Sequence, residues 1–503
     1  LISEDHDFGC NNGDRTFSYK HESAIAAVDF LGIEKRSAMR IRAEAGHGVY
    51  GVKMFDFSRP IGQQEVPESQ AGIDADLPLD LGVAHHLSNQ TVAIFVLDVR
   101  TSKTPWKQGA ERFRLDYEGD YLGEHQWEWF QKSIRRSRAS VNVVVNGLQV
   151  FANRYPDGNT AESWERYPRA QQRLLDALLQ DGVESPILIS GDVHKTELMR
   201  KDCVEKGDMG SSKRRSLMEM TTSGMTHSWG TIAKPISNPD YKPTLLERYQ
   251  VFAKRVLIHS LHTFSPWNDI LQAPTYSSDS SADGLYENGG GEGAAKGLQY
   301  SLEQNFGELE VDWDGRTVTL RSVGKNAAAP PLLVAKVSME QLSGRAPVAS
   351  PHLSMDNFRA EMDKDVHRLY NSEWVCINHR GRESTLDYIL GHCLTVTALF
   401  TIVPLPILLP VLCLLLSIRR WSQHHASRQH RNGIEFKGRK RRILKRMVKS
   451  RIPKGLRQRH KAYASLSKQY HLQGTTKFKA TRPSGRDQII PISFDIREMP
   501  LMT

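Results

Sequence analysis

Cysteine is scarce, with five in 503 residues, so a disulfide-built scaffold is excluded and an ordinary buried core must hold the fold. Cys393 and Cys413 fall in an apolar run, leaving Cys10, Cys203 and Cys376 as candidates for oxidation. One bridge, such as Cys203 to Cys376, and three free thiols both fit the spacing. Methionine is absent before Met39, so the chain is expected to be a fragment, with any secretory leader upstream of Leu1. Internal repeats are missing, which excludes solenoids and propellers. A basic surplus is missing from the first 418 residues, which hold 44 Lys+Arg against 53 Asp+Glu. That mildly acidic body lacks the basic stripe needed to track a phosphate backbone, and no nucleic-acid partner is expected.

The net charge of +10 comes from the tail, where residues 419–503 carry 23 Lys+Arg against 4 Asp+Glu. Just before it, residues 393–418 (CLTVTALFTIVPLPILLPVLCLLLSI) run 26 positions without a charge, enough to span a bilayer. Core helices are shorter and keep a polar stripe, so a transmembrane segment over 389–418 is expected, kinked or re-entrant at Pro404, Pro406 and Pro410. The basic tail at 419–503 is expected to be cytosolic and the large amino-terminal part extracellular or lumenal. Its cluster GRKRRILKRMVKSR (438–451) would also suit anionic lipid. Asn89-Gln90-Thr91 is a glycosylation sequon consistent with that side.

Three runs rich in β-branched residues predict buried strands: 91–99 (TVAIFVLDV), 141–145 (VNVVV) and 186–190 (PILIS). Residues 123–136 and 168–180 have helical periodicity, and strands alternating with helices predict a layered α/β domain. Trp127, Trp129 and Phe130 on the first helix read as core packing. Residues 272–296, rich in Ser, Gly and Asp, read as a mobile loop, and 307–322 as a hairpin turning at Asp314-Gly315. Residues 326–350, enriched in Ala, Pro and Ser, read as a linker. The expected organisation is a catalytic domain at 1–325, a linker and juxtamembrane segment at 326–388, then the span and the tail.

Two clusters offer hard metal ligands, Asp5-His6-Asp7-Phe8-Gly9 and Ser190-Gly191-Asp192-Val193-His194. The second follows an apolar strand, placing Asp192 and His194 at the carboxyl edge, where open α/β sheets gather their ligands. Carboxylate oxygen and imidazole nitrogen suit a divalent or trivalent Lewis acid. A structural Asp/His pair is the other reading of that cluster.

The order of these clusters resembles the PhoD-like (alkaline phosphatase D) metallophosphatase family of the calcineurin-like phosphoesterase superfamily. Residues 3–12 (SEDHDFGCNN) are similar to its Asp-Asp-His-Asp/Glu segment followed by Gly and Asn. Leu97-Asp98-Val99-Arg100 resembles its Leu-Asp-Thr-Arg strand end, and LGEHQWEWF (122–130) its Leu-Gly-x-x-Gln-Trp helix start. Ser163-Trp164, Tyr167-Pro168, ISGDVH (189–194), MTTSGMTH (220–227) and Asn305-Phe306-Gly307 continue the likeness to about residue 325.

The resemblance implies a four-layer α/β/β/α sandwich that hydrolyses phosphomonoesters or phosphodiesters by in-line attack of a metal-activated hydroxide. Calcium and iron are the ions it points to. It implies Asp5, Asp192 and His194 as metal ligands, His6 as the acid that protonates the leaving alkoxide, and Asp7 as the group orienting His6. Arg100 would clamp a phosphoryl oxygen, or pair with Asp98 or a neighbour, and Asn11 and Asn12 are weaker substrate contacts. Glu4 stands where the family usually has Asp, and Lys195 where an aromatic is usual. The family's early ligands, in a Gly-Asp-x-x-Tyr segment, normally precede the Asp-His-Asp cluster. The chain as it stands is therefore expected to be inactive and its parent active. The rival function is a catalytically dead, membrane-tethered binding or scaffold protein.

Overall fold

The computed structural model describes residues 5–378, apart from 78–87, 109–110, 112–113, 153–161, 209–213, 233–240, 265–299, 327, 347–353 and 365, and scattered positions between 393 and 419. The expected loop 272–296, the basic tail and most of the expected span lie outside the described residues. The chain divides into two units, Leu1–Pro410 and Val411–Thr503.

The amino-terminal helices are α1 (Asp5–Phe8), α2 (Lys20–Phe30) and α3 (Ala38–Glu44), followed by β1 (Gly51–Asp56), β2 (Glu65–Val66) and α4 (Glu68–Ala71). Next come β3 (Thr91–Val96), α5 (Gly123–Arg136), β4 (Val141–Val145), α6 (Pro168–Leu179) and β5 (Pro186–Ser190). The three apolar runs and both helical patterns thus fold as the sequence predicts. Two long strands follow, β6 (Thr196–Glu205) and β7 (Arg214–Thr222), then α7 (Leu245–Phe264). The remainder is β8 (Tyr300–Ser301), β9 (Asn305–Asp312), β10 (Thr317–Gly324), β11 (Leu333–Ser338), α8 (Met339–Leu342), α9 (Met355–Lys364) and β12 (Trp374–Asn378).

The main sheet has the order β12-β6-β7-β5-β4-β3-β1-β2, with β8 beside β6. Strands β3, β4, β5 and β7 are parallel, with α5 and α6 as crossovers on one face. That face buries Trp129, Phe130, Leu174 and Leu178 against Phe95, Val144 and Leu188. The opposite face buries Val143, Ile187, Leu198 and Met220 against Val318, Leu320 and Ala335 of a second sheet, β11-β10-β9. Both faces of the parallel strands are covered, which is why they read as unbroken apolar runs. The described residues thus build three layers, α/β/β. The outer side of the small sheet exposes Glu308, Glu310 and Asp312, so the second helical layer expected from the resemblance does not cover it there.

The hairpin forms as expected, with Thr317 opposite Asp312. The linker reading of 326–350 needs correction. Leu333, Ala335 and Val337 alternate inward as β11, pair with β10 and complete the small sheet, a pattern hidden by the surrounding alanines and prolines. Within the expected 326–388 segment β12 also joins the edge of the main sheet, with Phe358, Leu369, Val375 and Ile377 packed on Val204. Cys376 lies directly opposite Cys203 in that register and the two form a disulfide, which settles the alternative left open by spacing. Cys10 is a free thiol. Among the described residues no helix is long and apolar enough to cross a membrane.

Candidate functional site at the carboxyl edge of the sheet

Strands β3, β4, β5 and β7 deliver Arg100, Asn146, Asp192 and His194, and Ser223 to one edge. A Cβ placed on Gly191 would lie 3.5 Å from the Gly147 carbonyl and 3.8 Å from Ser223 Cβ, so three of these strand ends touch. After Ser190 the backbone turns sharply. Asp192 (φ 68°) and His194 (φ 45°) both take the left-handed conformation that side chains disfavour, with Val193 N–H closing on Gly191 O at 2.9 Å. Two such residues in one turn are a local cost that is characteristic of ligand sites.

Arg100 is fully buried at the end of the β3 run. Asp98, two residues before it, accepts N–H bonds from Arg100 (2.8 Å) and Thr101 (2.9 Å), which fixes the turn. The guanidinium pairs with buried Glu162 instead of Asp98. Burial alone would weaken its charge, but Glu162, Asp5 and Asp192 together hold the guanidinium above the ordinary arginine range. Nε and Nη2 of Arg100 are buried with no hydrogen-bond partner. This cation therefore gathers in its field the two carboxylates, Asp5 and Asp192, that lie 187 positions apart in the sequence.

Glu162 also pairs with buried Lys103, whose ammonium donates to Asn12 O at 2.7 Å and lies 4.7 Å from the Trp106 ring centroid. Burial pulls the Lys103 ammonium down, against the attraction of Glu162. The Arg100–Glu162–Lys103 group thus forms the floor on which the amino-terminal segment rests. Asp5 is buried and its Oδ2 accepts the Asn12 N–H at 2.8 Å, bending the chain through Asn12 (φ 55°). Asp7 and Asn11 are exposed, and the side chain of His6 lies outside the described part of the structure. Cys10 sits in the same field; burial, Asp14 and Asp5 raise its thiol.

His194 packs against His227, with ring centroids 3.9 Å apart. His227 belongs to the loop after β7, which is anchored where Trp229 Nε1 donates to Val193 O (2.8 Å) and Trp229 N to His194 O (3.2 Å). Asn146 is buried with Oδ1 accepting from Leu148 N and Trp164 Nε1, both at 3.0 Å, and Nδ2 unpartnered. Its carbonyl oxygen is already committed, so it offers an N–H donor to the edge. Glu162, Lys103, Asn146 and His227 were not singled out as site residues from sequence. Glu162 and His227 adjoin or lie within quoted motifs, whereas Lys103 carries no local signal.

The residues inferred as ligands converge only in part. Asp5 and Asp192 share the field of Arg100, yet the described residues contain no group of three or more His, Cys, Asp or Glu side chains arranged to hold a metal ion. One carboxylate oxygen of Asp5 is engaged at Asn12, and the His194 ring lies against His227. The donors have the right chemistry for a hard cation but not a closed set.

Residues 89–251 match the family model described as PhoD-like phosphatase. A solved structure described as "Structure of PhoD" aligns at 18% identity over 27% of this chain and 28% of that chain, with a TM-score of 0.21. No curated protein matches. The stretch similar to the PhoD-like phosphatases is therefore the one that carries Arg100, Asn146, Glu162, Asp192, His194 and His227.

Proposed function

We propose that this chain is a phosphohydrolase of the PhoD-like kind, acting on phosphate monoesters or diesters and tethered to a membrane with its α/β body on the oxidising side. The observation that carries the reading is the buried Arg100 at the carboxyl edge, which pairs with Glu162 through Nη1, makes no hydrogen bond through Nε and Nη2, and has its charge sustained by Glu162, Asp5 and Asp192. A planar cation with two unbonded N–H groups has the geometry to match two oxygens of a phosphoryl group, once a substrate reaches this buried position. Asp5, Asp192 and His194 are the donors that a divalent or trivalent ion would use there, supplying Lewis-acid and hydroxide chemistry when bound. Among the described residues they do not form a closed set. His6 is assigned proton donation to the leaving oxygen, Asp7 its orientation, and Asn11 a rim contact.

Two features support the tether. Cys203–Cys376 is a disulfide of the kind that persists in oxidising compartments. In the apolar run, Leu414, Leu415, Leu416 and Ile418 are exposed, and the Ser417 hydroxyl is satisfied within the helix by Cys413 O at 2.7 Å.

The test is hydrolysis of aryl and bis-aryl phosphates by the full-length protein in detergent, with any segment upstream of Leu1 included, and elemental analysis of the same sample. The proposal expects metal-dependent turnover, lost by more than about a hundredfold in His194→Ala and in Arg100→Lys, where bidentate contact is lost. The engagement of Asp5 at Asn12 favours the second reading, a non-catalytic tethered protein. A full-length protein that folds, carries no metal and turns over neither ester after metal is added establishes that reading and rejects the first.

A further inference from the structure

The sequon Asn89-Gln90-Thr91 has no part in the site proposed above, and the fold gives its residues different surroundings. Asn89 is exposed, in a bend that leads into β3. The backbone there is held from both neighbouring strands' ends: Ser140 Oγ donates to Asn89 O at 2.6 Å, and Phe57 N donates to Gln90 O at 2.8 Å. Thr91 is fully buried as the first residue of β3, opposite Asp56 of β1, and its Oγ1 accepts the Ser140 N–H at 3.2 Å. The residue that bears the amide is therefore open to solvent, while the one that bears the hydroxyl is closed inside the sheet. Asn89 precedes the amino end of β3 and Arg100 follows its carboxyl end, so the six residues of the strand set the two apart by about 20 Å.

We propose that Asn89 carries an N-linked glycan, attached before the main sheet closes around Thr91. The transfer is a substitution at the anomeric carbon of an oligosaccharide carried on a lipid diphosphate. Asn89 Nδ2 forms the new C–N bond and gives up one proton, the C–O bond to the diphosphate breaks, and the lipid diphosphate leaves with the bonding electrons. The motif requires a hydroxyl two residues after the asparagine. In the folded body that hydroxyl is buried and hydrogen-bonded, so the acceptor is the chain before β3 pairs with β1 and β4. Once attached, a bulky polar glycan needs a surface position, and Asn89 supplies one at the end of the strand away from the candidate site. The compartment is the one in which the Cys203–Cys376 disulfide persists. The inference rests on the extracellular or lumenal placement in the proposed function and is independent of catalysis.

The experiment expresses the full-length protein, any segment upstream of Leu1 included, in eukaryotic cells and reads its mass on a denaturing gel before and after an amidase that cuts N-linked glycans from asparagine. Loss of mass on treatment is expected for the wild type and for Thr91→Ser, which keeps the hydroxyl, and not for Asn89→Gln or Thr91→Val. Because the gel reads denatured protein, a variant that folds poorly still reports. The amidase leaves an aspartate where the glycan stood, and mass spectrometry of that peptide locates it. A wild-type protein that loses no mass overturns the proposal. Protease added to sealed microsomes from the same cells then shows what falls with it: a protected α/β body rejects the glycan alone, and a digested body rejects the lumenal placement as well. The timing is tested with glycan-free protein made in bacteria, offered folded, or reduced and unfolded, to purified oligosaccharide transferase with its lipid-linked donor. Transfer to the unfolded chain only is expected, and equal transfer to the folded protein would overturn the order of events.

Discussion

The two halves of the main sheet bury their strands by different chemistry. In β3, β4 and β5 the side chains are almost all apolar, and the polar residues wait at the carboxyl edge. In β6 and β7 charged residues lie within the strands and are still buried, because the strands run between two layers and the charges are answered from inside. Lys195 pairs with Glu197 at 2.7 Å, Arg200 with Asp202 at 2.9 Å, and Glu219 takes the N–H groups of Val150 (2.7 Å) and Phe151 (2.6 Å). Arg215 reaches out of β7 to the carbonyls of Leu179 (2.8 Å) and Gln180 (2.9 Å), capping the end of α6. The apolar half makes a rigid edge for a site. The charged half ties that edge to the helices, since Glu219 holds the loop that follows Asn146.

The contrast can be broken most strongly at Glu162, the single carboxylate between Arg100 and Lys103. Glu162→Ala leaves two buried cations facing each other and should cost about 3–5 kcal/mol in urea unfolding. A loss under about 1 kcal/mol would mean that the floor of the site is wet. Removing the covalent link in Cys203→Ser/Cys376→Ser, which closes a separation of 173 residues, should cost about 2–5 kcal/mol by the same measurement. Arg215→Ala orphans several carbonyls at the end of α6 and should cost about 1–3 kcal/mol, with hydrogen exchange fastest near Leu179.

The smallest effect should be the sharpest in sign. Burial pushes the Glu219 carboxyl up from 4.5 to about 7, against the N–H groups that favour its ionised form. The folded state then binds the proton more tightly than the unfolded state, so the Glu219 contribution to stability falls as pH rises from about 4.5 to about 7 and is level above that. Glu219→Gln should flatten that part of the stability profile. An unchanged profile would show that Glu219 is ionised throughout and that its N–H partners outweigh burial.

The same contrast explains how much was legible in the sequence. Strands β3, β4 and β5 announce themselves because both faces need apolar groups, and α5 and α6 because one face does. Strands β6 and β7 do not, since Arg-Lys-Asp in the middle of a run signals a surface unless the internal partners are known. β11 is masked by its composition, and β12 by its distance along the chain. At the site, Arg100, Asp192 and His194 were readable from their place after a strand. Their neighbours Glu162 and Lys103 were not, because the pairing exists only in three dimensions. The engagement of Asp5 at Asn12 is a local contact that the spacing of motifs does not disclose.

The position of Cys376 has a mechanical consequence. It lies two residues before the last position of β12, at the boundary between the α/β body and whatever the chain does beyond residue 378. A load entering from the carboxyl side meets a covalent stop at Cys203 before it can peel β12 or reach α9. Drag on the far end of the chain would therefore reach the interior of β6 as a tug on one rivet, and pass from there to β7, its neighbour in the sheet.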